Sequence, residues 1–226
     1  MQVATGGADD GELRAADGRV PGRRGRATRQ RLLEETAAML ETTSYRDLKV
    51  VDIARAAGTS PATFYQYFPE VTSAILVLAE QMSLAGGTRL SALVRDGTWK
   101  GRAAWETANR LVEGFMAFWE EYRPVLRVVD LATEEGDQRF RKARVALLHE
   151  LTTALAEVID AQRRAGRQPA DLDPMASAGV LVSMLAHVAA HRYGFEFWGI
   201  RSEDLQRSMA RIVFTTVSGQ KPPDGR

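Results

Sequence analysis

Cysteine is absent from this chain of 226 residues, which excludes disulfide frameworks, thiolate zinc sites, iron–sulfur clusters and cysteine nucleophiles. Apolar runs are short, and none approaches the roughly 20 residues that a membrane span requires. The polar N-terminus has no apolar stretch of the kind that secretory signals carry. We therefore expect a cytoplasmic protein with no membrane partner.

Enzyme signatures are also absent. The sequence contains no GxSxG nucleophile motif, no Walker glycine loop and no Rossmann fingerprint. Acidic pairs such as Glu34-Glu35 and Glu120-Glu121 are adjacent in sequence, so the two carboxylates of a pair point in different directions on a helix. This pattern indicates solvated surface, and we expect neither an enzyme nor a bound cofactor.

No stretch shows the sustained alternation of a strand, and helix formers dominate throughout. The prolines lie far apart and leave room for long helices. The pattern predicts an all-α fold with helices over residues 28–42, 50–57, 61–68, 71–85, 102–122, 124–135, 137–164, 174–195 and 202–216. Gly86 and Gly87 are expected to end the fourth helix, and residues 88–101 have no assignment.

Positive charge is concentrated near the N-terminus. Six arginines and no acidic residue lie between Arg19 and Arg31. Glycine and proline are interspersed among them, which predicts a flexible arginine-rich arm over residues 1–27. Such an arm either contacts DNA phosphates or the minor groove, through Arg23, Arg24 and Arg26, or is a solvated tail.

Residues 50–68 read VVDIARAAGTSPATFYQYF and predict a helix-turn-helix. Gly58 can adopt the positive φ of a tight turn, and Ser60 caps the second helix. Phe64 and Phe68 are expected to anchor that helix. The side chains predicted to project from it towards DNA are Ser60, Ala62, Thr63 and Gln66 for base edges, Tyr65 for phosphate, and Tyr67 with a mixed role.

These residues resemble the tetracycline-repressor (TetR) family of transcriptional regulators, through IARAAG at 53–58 and TFYQYF at 63–68. The resemblance is strong over residues 28–80 and one of layout beyond them. It implies a homodimer whose protomers have an N-terminal three-helix helix-turn-helix domain, residues 28–70. A larger C-terminal helical domain for effector binding and dimerisation would cover residues 71–218, with a tail at 219–226.

The family's pattern also assigns roles at two further positions. Family members commonly place a phosphate-contacting lysine at the start of the fourth helix, where this chain has Val71 preceded by Glu70. Lys49 stands where the family often has threonine and could add a contact to the DNA backbone. The last two long helices, about 174–195 and 202–216, would form the four-helix interface of the dimer.

The predicted C-terminal domain is rich in aromatic residues, which either line an apolar ligand pocket or fill the helical core. The candidate ligand-binding residues are Trp105, Asn109, Phe115, Trp119, His149 and His187. His187 and His191 lie four residues apart and could share a metal ion, but no cysteine or dense carboxylate cluster supports them, so we expect no metal site.

The sequence thus favours a dimeric regulator that binds double-stranded operator DNA and is released from it by a small, largely apolar effector, that is, a repressor. Two alternatives stay open at this stage. One is a DNA-binding regulator without an effector. The other is a helical ligand-binding protein that has lost DNA binding, which Glu70 and Val71 favour.

Overall fold

A computed structural model describes residues 22–223, and over that range the chain is all-α, as the sequence predicts. Its helices are α1 (Arg23–Leu40), α2 (Val50–Ala56), α3 (Pro61–Tyr67), α4 (Val71–Arg95), α5 (Gly101–Glu121), α6 (Arg123–Glu134), α7 (Gln138–Arg164), α8 (Pro174–Phe197) and α9 (Ser202–Ser218). Most ends lie within two residues of those expected from the sequence.

The chain forms two compact units that divide between Leu78 and Ala79, inside α4. The family resemblance predicts this division at residues 70–71. In the first unit, α1, α2 and α3 pack on one another around Leu32, Leu33 and Phe64, which are fully buried. In the second unit, α7 packs on α8 and α6, and α5 packs on α9.

Helix α1 begins at Arg23, so the expectation of a flexible arm through residue 27 is wrong for residues 23–27. The amide of Arg26 donates to the carbonyl oxygen of Gly22 at 2.9 Å and closes the first turn. Arginine is a good helix former, and one glycine at position 25 costs only about 1 kcal/mol, which the continuing helix tolerates. Residues 1–21 of the predicted arm, including Arg19, lie outside the described residues.

Helix α4 continues through Gly86 and Gly87 to Arg95, contrary to the expected end. A Cβ atom at Gly86 would overlap the side chains of Phe118 on α5 and Leu147 on α7. The missing side chain therefore lets α4 approach both helices closely. The glycine has a packing function here and is not a helix stop.

Helix α8 reaches the length and hydropathy of a membrane span, which corrects the expectation that no segment of the chain would. Length and composition alone do not separate a span from a helix that packs on protein. Leu181, Leu185 and Ala189 are among its buried side chains, and the helix packs on α7, α5 and α9. Asp173 caps its N-terminus by accepting from the amide of Ala176 at 2.6 Å.

Candidate DNA-binding surface and effector region

The turn between α2 and α3 has the geometry of a helix-turn-helix. Gly58 has a φ of 65°, a conformation that glycine adopts without strain. The hydroxyl of Ser60 accepts from the amide of Thr63 at 3.2 Å and also hydrogen-bonds to the Thr63 hydroxyl at 3.0 Å. Pro61 supplies the first helical residue. Local chemistry therefore determines where α3 begins.

An aromatic core fixes the inner face of α3. Phe64 and Phe68 are buried, and their ring centroids lie 5.5 Å apart. Ile53 and Ala54 of α2 are fully buried in the same unit. The guanidinium of Arg29 lies over the ring of Phe68, 5.3 Å from its centroid. Sequence reasoning missed this contact because Arg29 lies on α1 and Phe68 follows the end of α3, 39 positions further along the chain.

The outer face of α3 carries the side chains predicted to contact DNA. Ala62, Tyr65 and Gln66 are exposed, whereas Thr63 and Tyr67 are half-buried. Tyr65 presents 53% of its surface to solvent, so it is not a core aromatic. Ser60 is also exposed, but its hydroxyl already serves the cap. This face is short and lined by one amide, one phenol and small groups, which suits contact with base edges.

Basic side chains flank this unit on α1. Arg23, Arg24 and Arg26 are exposed along its first turns, and no acidic residue lies in the first turn. Lys49 precedes α2 as its N-cap residue and is exposed. At the start of α4, Val71 is half-buried and Glu70 is exposed, so no lysine or arginine occupies these two positions.

The ligand candidates of the second unit do not converge on one cavity. Phe115 and Trp119 are buried and stack on each other at 5.1 Å with an interplanar angle of 12°. Trp119 borders a small crevice of about 200 Å³, and His149 borders one of about 290 Å³. The tight stack indicates that Phe115 and Trp119 stabilise the core in this conformation.

Trp105 and Asn109 do come together, in a groove of about 1150 Å³ between α5 and α9. The side-chain amide of Asn109 donates to the carbonyl oxygen of Trp105 at 2.7 Å, and Phe214 of α9 meets the Trp105 ring edge-on at 5.7 Å. Arg211 also borders this groove, and sequence reasoning missed it. No sequence signal pairs Trp105 with Arg211, because the groove is created by the packing of α5 on α9.

His187 borders a further cavity, of about 480 Å³, near the end of α8. The His187 and His191 rings stack with centroids 4.2 Å apart, and Nδ1 of His191 lies 2.9 Å from the carbonyl oxygen of His187. Within residues 22–223, no three His, Cys, Asp or Glu side chains are grouped closely enough to hold a metal ion.

Helix α8 also has an unusual solvent-facing stripe. Ala176, Val180, Ser183, His187 and His191 recur at intervals of three or four residues and are exposed, and none of the five is Asp, Glu, Lys or Arg. Val180 presents 70% of its surface to solvent, and Phe197 at the helix end presents 89%. On α9, Ile212 is 47% exposed. Apolar surface of this extent is typical of a protein–protein contact.

Helix α3 is capped, packs on an aromatic core and is flanked by basic side chains, and the chain has a separate all-helical unit. These features define the class of helix-turn-helix transcriptional regulators. The family model of the tetR family of bacterial regulatory proteins matches residues 32–70. The model of the tetracyclin repressor-like C-terminal domain matches residues 90–224, more than half of the chain. The chain belongs to the tetR family of bacterial regulatory proteins, which are transcriptional regulators.

Individual relatives are distant in sequence. The HTH-type transcriptional regulator EthR of Mycolicibacterium smegmatis is 23% identical over 191 residues, covering 84% of this chain and 86% of EthR. The fatty acid degradation regulator FadR of Bacillus halodurans has a TM-score of 0.64 at 15% identity, over 87% of this chain and 97% of FadR. FadR of Bacillus subtilis, solved in complex with stearoyl-CoA, has a TM-score of 0.62 at 15% identity, over 84% of this chain and 98% of that FadR.

Proposed function

We propose that the protein is a cytoplasmic, homodimeric repressor that binds a palindromic operator and is released by a small effector. The exposed outer face of α3 is the observation that carries this proposal. In each protomer Ala62, Thr63 and Gln66 would contact base edges in the major groove, with Ser60 at the entry of the helix. Tyr65 would contact phosphate, and Tyr67 would support it from its half-buried position.

The basic residues of α1 supply the sequence-independent part of DNA binding. Arg23 and Arg24 are exposed and are in no ion pair with the acidic side chains of residues 22–223. They can therefore approach phosphates without first breaking a protein contact. Arg26 and Lys49 would extend the same surface along the backbone.

Dimerisation would occur through α8 and α9. The exposed stripe on α8 and Ile212 on α9 carry mainly small, apolar or imidazole side chains, and a second copy of the chain would cover both. The α3 helices of the two protomers would then match the two half-sites of a palindromic operator. This arrangement requires no further contact with DNA from the second unit.

Effector binding would occur in the second unit. The groove at Trp105 and Asn109 is large enough for a molecule of drug size, and the crevices beside Trp119, His149 and His187 offer smaller contacts. The FadR complex with stearoyl-CoA supports the view that a fold of this kind can hold a ligand with a long apolar chain. The effector would act by preferring a dimer whose α3 helices are wrongly spaced for the operator.

The experiment that tests the proposal is capture of genomic DNA fragments by the purified protein near physiological salt, followed by sequencing. We expect enrichment of a few palindromic sites. Gln66→Ala should lose or alter this enrichment, whereas Gln30→Ala, on the exposed part of α1, should retain it. Absence of enrichment with a folded dimer would overturn the proposed DNA-binding function.

A second candidate function, ligand binding without DNA binding, is favoured by Glu70 and Val71 at the start of α4. A carboxylate near DNA phosphates is repulsive, and the valine supplies no positive charge. Glu70→Gln with Val71→Lys should raise affinity for captured fragments if the α4 terminus faces DNA. If neither the unmodified protein nor the variant enriches any DNA fragment, the second candidate is favoured.

A further inference from the structure

The groove between α5 and α9 is built from one face of each helix. On α5, Trp105, Asn109 and Glu113 recur every four residues, and on α9, Arg207, Arg211 and Phe214 lie four and then three residues apart, so each set shares one helix face. The chain after α9 adds Lys221 at one end. Two rigid helices thus hold the walls, and the groove is not a gap between mobile loops.

The base of the groove contains two aromatic rings. The Trp105 ring and the buried Phe214 ring meet edge to face, which is a stable arrangement for two aromatic rings. Trp105 is half-buried, so part of its ring surface is left for a ligand. The Asn109 amide group is held by its hydrogen bond to the Trp105 carbonyl oxygen, and its own carbonyl oxygen can still accept.

The charged lining is mainly basic. Arg102, Arg207, Arg211 and Lys221 face two carboxylates, those of Glu113 and Glu203. Glu203 is bound by Arg201 at 3.2 Å, outside the groove lining. Arg102 and Arg207 each have a carboxylate within 4 Å, at 3.7 Å from Glu106 and 3.4 Å from Asp204 respectively.

The other two cations of the lining differ in this respect. Between residues 22 and 223, no carboxylate forms an ion pair with Arg211 or Lys221. The Arg211 guanidinium instead lies over the Trp105 ring, 5.7 Å from its centroid, and is half-buried. This cation–π contact uses none of the N–H donors of the guanidinium, so the donors are available to a carboxylate or phosphate.

We propose that this groove binds an organic anion, with an apolar body against Trp105 and a carboxylate or phosphate group held by Arg211 and Lys221. The anion site deepens the proposed function, and it rests on that function only in naming the anion as the effector. A negative charge on the ligand is required, which an entirely apolar effector would lack. Because α9 also carries part of the proposed dimer surface, the anion would act on a helix that dimerisation uses.

A matched pair of fluorescent probes tests the proposal. 1-Anilinonaphthalene-8-sulfonate is an aromatic anion, and N-phenyl-1-naphthylamine has the same ring system without the charge. We expect Arg211→Gln to weaken the anionic probe by about tenfold, because a charge-assisted hydrogen bond is lost, and to leave the neutral probe within about twofold. Trp105→Leu should weaken both probes, because it removes the shared apolar base.

The matched control is Arg164→Gln, which removes one positive charge from the same unit outside the groove. Asp160, its ion-pair partner, keeps Arg163 at 2.7 Å, so the fold should be undisturbed. Lys221→Gln, at the exposed second cation of the proposed site, replaces Arg211→Gln if the latter lowers the melting temperature. Equal effects of the groove and control variants on the anionic probe would overturn the proposal, as would equal binding of the two probes.

Displacement of the anionic probe identifies the anionic group. Release by 1-naphthaleneacetate indicates a carboxylate, release by 1-naphthyl phosphate indicates a phosphate, and release by neither overturns the proposal. Capture of DNA fragments is measured on the same protein. Operator binding without a preference for the anionic probe would overturn only the anion site. Anion binding without any enriched DNA would overturn only the proposed DNA-binding function.

Discussion

The two exposed arginines at the start of α1 allow a quantitative prediction about DNA binding. We consider the double substitution Arg23→Gln with Arg24→Gln. Glutamine is also a good helix former, so α1 should begin at the same place. Neither arginine forms an ion pair with a side chain of residues 22–223, so their removal leaves no carboxylate without its partner. The substitution therefore isolates their contribution to phosphate contact.

The expected magnitude follows from counterion release. Each phosphate contact contributes about −0.9 to the slope of log K against log salt concentration, so two lost contacts should flatten the slope by about 1.8. Over a fourfold rise in salt, the unmodified protein should then lose about twelvefold more affinity than the variant. At low salt the variant should bind more weakly, and the difference should shrink as salt increases.

Fluorescence anisotropy of a labelled operator fragment, recovered by the capture experiment, measures these slopes between about 50 and 200 mM salt. The control protein carries Arg110→Gln and Arg164→Gln, which remove the same total charge from the second unit. Both control positions are exposed. The control should keep the slope of the unmodified protein.

Two results would refute the reasoning. An unchanged slope in the Arg23 and Arg24 variant would mean that these side chains do not contact phosphate, whatever their exposure. An equal flattening in the control would mean that net charge, and not contact, sets the salt dependence. The first result would also remove the α1 terminus from the proposed DNA-binding surface.

Four further predictions concern stability and assembly. Ser60→Ala should lower the free energy of unfolding by about 1 kcal/mol through loss of the α3 cap, measured by denaturant titration. Gly86→Ala should lower it by about 1–3 kcal/mol, because the added methyl group overlaps side chains of α5 and α7. Val180→Glu should reduce the mass in analytical ultracentrifugation from a dimer to the 24.9 kDa of one chain, because a charge would be buried in the proposed interface. The hydrogen bond from Arg163 lowers the pKa of Asp160 in the folded state. The ionised carboxylate therefore stabilises the fold above the ordinary aspartate pKa, and this stabilisation is lost as the pH falls through the lowered pKa. Asp160→Asn should make the free energy of unfolding less sensitive to acid over that range.

Matched variants separate these mechanisms from general damage. Gly87→Ala should stabilise the protein by about 0.5–1 kcal/mol, because a Cβ there meets its nearest neighbours at an ordinary 3.6 Å; destabilisation by both alanines would contradict the packing explanation for Gly86. Val145→Glu, on α7, adds the same charge at a site that is 60% exposed and should leave the mass unchanged. A Val180→Glu protein that stays dimeric would place the interface elsewhere.

The first unit shows how far contiguous sequence determines local structure. Gly58, Ser60 and Pro61 lie within four positions and define the turn, the cap and the first residue of α3 through chemistry that needs no distant partner. Phe64 and Phe68 follow at helical spacing and are buried as predicted. The start of α1 was missed because glycine and arginine signal a flexible arm only where no helix continues beyond them.

Tertiary packing decided the features that span distant segments. Gly86 resembles a helix stop in sequence, but α4 continues through it. The absence of a side chain leaves room for side chains of α5 and α7, which pack against the helix at this point. Trp105 and Arg211 form one groove only because α5 packs on α9, and periodicity along one helix contains no information about the helix opposite. The sequence by itself therefore determined that the fold is all-α and where α3, the proposed DNA-recognition helix, lies, because the interactions that define them are local. The position and charge of the candidate ligand groove depended on long-range packing, which brings together side chains more than 100 residues apart.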